Sequence, residues 1–164
     1  MIQRIQTFYM FLVVAACGSM FFLPIYSGTG IGTTTPQIQT IVINQEEVKV
    51  NFVLNVDETA NIKKLMVVLN TLDIVIAVLI FIAIFLYRTR DMQLRMTRYL
   101  ILFSFVYIAL LIYSTYEARA MISNVKDHFG AGLFVPLLSP VLLFLATRGI
   151  DKDISLVKSA DRLR

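Results

Sequence analysis

One cysteine, one histidine and no tryptophan leave little room for metal or redox chemistry in this 164-residue chain. The lone Cys17 excludes an internal disulfide and any Cys-rich metal site. His128 has no second ligand at metal-binding spacing, so the sequence implies no metal and no cofactor. Charge is also scarce: 16% of residues are Asp, Glu, Lys or Arg, against about 25% in soluble domains. No Ser/His/Asp, Cys/His or paired-carboxylate arrangement stands in the loops, so the chain does not read as an enzyme. The length admits one domain, 1–164, and no second.

What the chain has in excess is apolar surface: 57% of it is hydrophobic, and the mean hydropathy is +0.74. A span of the hydrocarbon core takes about 20 mostly apolar residues. Four runs qualify, Thr7–Ile25, Leu65–Tyr87, Tyr99–Tyr116 and Ala131–Thr147. The predicted fold class is an all-α membrane protein with four transmembrane helices. Its solvent, and first partner, is the lipid bilayer.

Positive charge in short loops sets orientation. Arg4, Arg88, Arg90, Arg95 and Arg98 fall on one side, with Arg148, Lys152, Lys158, Arg162 and Arg164 after the fourth run. The other side has Lys49, Lys63, Lys64, Arg119 and Lys126. Ten against five places both termini in the cytoplasm. Topology thus accounts for the net charge of +4, and no nucleic-acid site is implied. Tyr9, Tyr26, Tyr87, Tyr99 and Tyr116 fall near the predicted boundaries and read as interface anchors.

The first outer loop is long. "YSGTGIGTTTP" is rich in Gly and Thr and reads as a flexible linker. No lysine follows at phosphate-loop spacing. Beyond it, Val48, Val50, Phe52, Leu54 and Val56 alternate with residues that are mostly polar, and Ile38–Ile43 makes a second β-branched run. The pattern predicts a periplasmic two-stranded hairpin over about 38–56. Such a hairpin is marginal by itself. It caps its own bundle or, alternatively, accepts a strand from a partner.

Asp73 lies inside the second run. It is fifteen residues from Arg88, about 22 Å at 1.5 Å per residue. An uncompensated charge at that depth costs several kcal/mol. Asn70 shares its helical face, and counting inward from Arg98 brings Tyr113 to the same level. The predicted intramembrane cluster is Asp73, Asn70, Tyr113 or Tyr116, and Arg119 snorkelling from the outer surface. Its favoured role is glue between helices. The alternative is a cation or proton relay, for which only half a polar path is legible.

"VAAC" at Val14–Cys17 fits a lipoprotein cleavage box, but the apolar run continues through "GSMFFLPIY", so the span reads as a retained anchor. Pro136 and Pro140 predict a kink in the fourth span. Ile150, Ile154, Val157 and Ala160 follow helical spacing, so the tail 148–164 continues that helix or lies along the headgroups.

"MIQRIQTFY", "FLYRTRDMQLRM" and "FLATRGIDKDISLVKSADRLR" resemble a family of small four-span inner-membrane proteins typical of Bacteroidota, catalogued only as a domain of unknown function. The resemblance implies four spans and a Gram-negative inner membrane, and it implies no activity or cofactor. Arg4, Arg88, Arg90, Arg95, Arg98, Arg162 and Arg164, interspersed with Asp91, Asp151, Asp153 and Asp161, form a charged cytoplasmic surface. That surface suits paired contacts among the loops or with other membrane-protein subunits, or in a homo-oligomer. The functional expectation is a non-catalytic accessory or scaffold subunit of an envelope complex. The alternatives are a small transporter or ion- or proton-conducting protein using Asp73, and a membrane enzyme drawing its substrate from lipid.

Overall fold

The computed structural model describes residues 3–32, 38–44, 48–51, 56–120 and 122–162. Helix α1 (Gln3–Met20) leads into strands β1 (Pro24–Gly32), β2 (Ile38–Asn44) and β3 (Val48–Asn51). Helix α2 (Val56–Phe85) ends in one 3₁₀ turn, Leu86–Arg88, and α3 (Arg90–Ala120) starts at once. Strand β4 (Ile122–Phe129) then precedes α4 (Ala131–Arg162). The helices form a ring in which α1 packs on α2 and α4, and α3 packs on the same two neighbours.

Three helices are long and apolar enough to cross a membrane: Ile62–Arg88, Arg90–Ala120 and Ala131–Val157. A shorter apolar helix covers Ile5–Met20. The bundle is apolar outside and partly polar inside. Phe11, Val78, Phe105, Ile112, Leu138 and Phe144 point outward. Gln6, Asp73, Gln93, Ser104, Ser114 and Thr147 are buried. In water such an exterior would be one large exposed apolar patch. In lipid the arrangement is the stable one, because only the interior offers hydrogen-bond partners. The chain is a membrane protein.

Most interior hydroxyls are satisfied by their own helix. Thr97 donates to the Gln93 carbonyl at 2.8 Å, Ser104 to Ile101 at 2.7 Å and Thr147 to Leu143 at 2.8 Å. This back-bonding removes the desolvation cost without tying helices together. Gln93 does tie them: its amide Nε2 donates to the Ala83 carbonyl of α2 at 3.0 Å.

Several sequence expectations are corrected. The predicted hairpin is part of a four-stranded antiparallel sheet in the order β3-β2-β1-β4. Residues 26–32 of the stretch read as a linker belong to β1, an inner strand hydrogen-bonded on both sides, and its last residues, 33–36, lie outside the described ones. Its glycines pack no side chain, but two backbone ladders compensate. The pairing of β2 with β3 agrees with the hairpin, while residues 45–47 and 52–55 lie outside the described ones. Val56 begins α2 and is not a strand residue. Tyr26, expected at the membrane interface, is fully buried at the root of the sheet, its ring 5.9 Å from that of Phe129. The basic segment Arg90–Arg98 is not a loop but the first turns of α3. The tail continues α4 without a break, and Pro136 and Pro140 sit inside it.

The sheet is joined to the bundle through Gly130. Its N–H donates to the Ile25 carbonyl at 3.0 Å, and a Cβ added there would fall on the Pro24 carbonyl. Gly18, on α1, has nothing within 4 Å of an added Cβ. Gly130→Ala should therefore cost about 1–3 kcal/mol by forcing backbone apart. Gly18→Ala should instead stabilise by up to about 1 kcal/mol through helix propensity. Thermal melts of both variants in one detergent check the pair, and equal midpoints would refute this account of the junction.

Candidate functional site

Asp73 is the most buried carboxylate among the described residues, at 2% exposure. Helix periodicity turns it inward, with Leu69, Ile76 and Ile80 buried along the same stripe of α2. Four helices meet around it. Cys17 of α1, Ser104 and Tyr107 of α3, and Pro136 and Ser139 of α4 line the same small cavity. The Cys17 thiol donates a hydrogen bond to the Asp73 carboxylate. The cavity measures about 10 Å³, room for one water at most.

The depth arithmetic placed Asp73 correctly inside the bundle but chose the wrong neighbours. Tyr113 and Tyr116 are 53% and 69% exposed, on the outer face of α3. The Tyr113 hydroxyl bonds Glu117, one turn along its own helix. Arg119 is exposed in the last turn of α3. It stands twelve residues from Tyr107, about 18 Å along the helix. Asn70 is half-buried one turn nearer the sheet and is not a wall of the cavity.

The cause of the shift is the turn. Counting inward from Arg88 and Arg98 assumed a loop over residues 88–98. The chain reverses at Leu86–Thr89 instead. Reflecting Asp73 about Thr89 leads to position 105, between Ser104 and Tyr107. Cys17 was legible as a buried small residue, but nothing local in sequence paired it with Asp73.

Directly below this cluster comes an apolar layer. Met10 and Val13 of α1, Ile80 of α2, Leu100 of α3 and Leu143 of α4 are fully buried. They separate Asp73 from a second set of buried polar groups, Gln93, Thr97 and Thr147, nearer the end of the bundle that carries the arginines. Of those arginines, Arg88, Arg95 and Arg98 are exposed and Arg90 is half-buried. Arg98 pairs with Asp151 at 3.3 Å across α3 and α4. That pair is largely in solvent and contributes at most about 1 kcal/mol. The side chains of Arg4 and Arg162, and all of Arg164, lie outside the described residues. Among the described residues, no three His, Cys, Asp or Glu side chains come together.

The geometry makes Asp73 an acceptor for the α1 thiol at the point where the four helices meet. Asp73→Asn keeps its size and an acceptor oxygen and should change stability by less than about 1 kcal/mol. Asp73→Ala removes the acceptor from a buried thiol and leaves a void, costing about 2–4 kcal/mol. Unfolding midpoints in detergent measure both. An alanine variant as stable as wild type would refute the role.

Comparison with curated proteins finds no match. A family profile described as a domain of unknown function, DUF4293, matches residues 2–163, nearly the whole chain, and the protein belongs to that family.

Proposed function

We propose that the protein is a non-catalytic accessory or scaffold subunit of an envelope complex in a bacterial inner membrane. In this reading α1 is a fourth span, both termini are cytoplasmic, and the β-sheet lies in the periplasm. The orientation rests on the ten basic residues at the termini and the α2–α3 turn, against five at the sheet end. Membership of Gram-negative bacteria, in particular Bacteroidota, rests on the sequence resemblance alone.

The observation that carries the reading is the dry packing around Asp73. A proton or cation conduit needs a polar, wetted path to both sides of the membrane. Here the acid has room for one water, and a layer of five fully buried apolar side chains interrupts any polar path from it to Thr97, Gln93 and Thr147 on the cytoplasmic side. Asp73 acts as glue that fixes helix register, which favours a scaffold over a transporter. The surface offers docking area of two kinds: apolar helix faces toward lipid, and the outer edges of β3 and β4 beyond the membrane.

Mild-detergent purification of the tagged protein from its native membrane, with mass spectrometry of what accompanies it, tests this. The expected result is one partner protein at reproducible stoichiometry. Purification alone, or only as a homo-oligomer, overturns the subunit reading. A measured flux abolished by Asp73→Asn, with folding intact, would establish the transporter instead.

A further inference from the structure

At the end opposite the sheet, the bundle contains a second cavity, of about 460 Å³. That is the size range of small-molecule sites. All four helices contribute to it. Gln6 comes from α1, Phe85 from the end of α2, Tyr87 from the turn, Arg90 and Gln93 from the start of α3, and Asp153 from α4.

Three of its polar groups are unusual. Asp153 is 8% exposed, yet no ion pair reaches it among the described residues. A carboxylate held away from bulk water favours a cationic partner. Arg90 faces the same space, and no ion pair joins it to Asp153. The two charges thus stand on one cavity with a gap between them. Gln6 is 5% exposed, and its Nε2 has no hydrogen-bond partner among the described residues. Its stem packs against Gly149, where an added Cβ would meet it. By contrast Gln93, on the same wall, already spends its amide on the Ala83 carbonyl.

These are the needs of a zwitterion. An anionic group beside Arg90 and the Gln6 amide, joined by a short linker to a cation beside Asp153, would satisfy all three at once. A phosphate suits a guanidinium, which presents paired N–H donors. A primary ammonium suits Asp153, because it donates hydrogen bonds as well as charge. Apart from Thr7 the remaining walls are apolar or aromatic, and Phe85 and Tyr87 are largely exposed on the outside of the bundle. The cavity therefore lies beside the lipid-facing surface, near the headgroup level marked by Tyr87 and Arg90.

The geometry points to a site for a lipid headgroup bearing a phosphate and a primary ammonium, as in phosphatidylethanolamine. Arg90 and Gln6 hold the phosphate and Asp153 holds the ammonium. The inference rests on the helices spanning a bilayer, and not on the accessory role or on any partner.

Delipidated full-length protein in detergent, titrated with short-chain lipids, provides the test, with bound lipid counted by native mass spectrometry and thermal shift measured in parallel. Phosphatidylethanolamine should bind about tenfold more tightly than phosphatidylglycerol, which lacks the ammonium, or phosphatidylcholine, whose ammonium cannot donate. Asp153→Asn should erase that preference, Arg90→Gln should weaken all three lipids, and Arg98→Gln, at the exposed pair, should change nothing. Gln6→Met should leave the delipidated protein at least as stable while shrinking the shift that phosphatidylethanolamine produces. That last variant separates ligand binding from a merely structural role. Equal binding of the three lipids by wild type overturns the proposal, as does an intact preference in folded Asp153→Asn. Competition by free phosphoethanolamine at equal concentration would overturn the lipid source while keeping the site. Failure of the protein to float with vesicles would overturn the bilayer premise itself.

Discussion

Hydrocarbon offers no hydrogen bonds, and the interior of this bundle is arranged around that fact. A polar group on the outer face would be stranded, so polar groups gather inside. Most of them settle their needs locally. The hydroxyls of Thr97, Ser104 and Thr147 bond carbonyls one turn back on their own helices. Only groups with longer reach or charge remain to connect helices. Gln93 connects α3 to α2, and Asp73 sits where all four helices meet. A small number of side chains thus sets the register of a bundle whose other contacts are apolar and tolerant of sliding.

The two ends of the bundle are closed by different means. At one end β1 is joined on one side to β2 and on the other to β4, which links the α1–α2 connection to the α3–α4 connection. Gly130 lets the start of α4 lie against Pro24 and Ile25 at the base of the sheet. At the other end a single tight turn joins α2 to α3, and α1 and α4 are not joined by any short connection. A solvent-screened ion pair, Arg98 with Asp151, links α3 to α4 there. The roomy cavity lies at this less constrained end, and the near-dry one lies toward the sheet. The difference suits a molecule that is rigid on one face and receptive on the other.

The site reading shows how helix geometry converts a boundary error into a contact error. At 1.5 Å per residue, misplacing the α2–α3 turn shifts the level assigned to every residue of α3. Tyr113 stood in for Tyr107 for this reason alone. Asp73 faces inward as read, because its facing depends on the periodicity of one helix and no partner. The second cavity escaped notice because its walls are ordinary residues scattered from Gln6 to Asp153. A buried amide and a buried acid at a membrane end resemble surface polar residues when read one at a time.

Composition and hydrophobic runs by themselves determined that the chain enters a membrane, how many apolar helices it forms, and that Asp73 faces inward. Those properties follow from the local cost of placing each residue in lipid, summed along the chain. The pairing of β2 with β3 was also legible, because its strands are neighbours with alternating residues. Tertiary structure alone decided that the Gly-rich segment is a strand. Gly28 and Gly30 have weak strand preference, and it is pairing with β4, nearly a hundred residues away, that supplies the second ladder. It alone decided that Cys17 meets Asp73, and that Arg90 and Asp153 share a cavity. Such contacts depend on where independent helices come to rest against one another, which no local periodicity records.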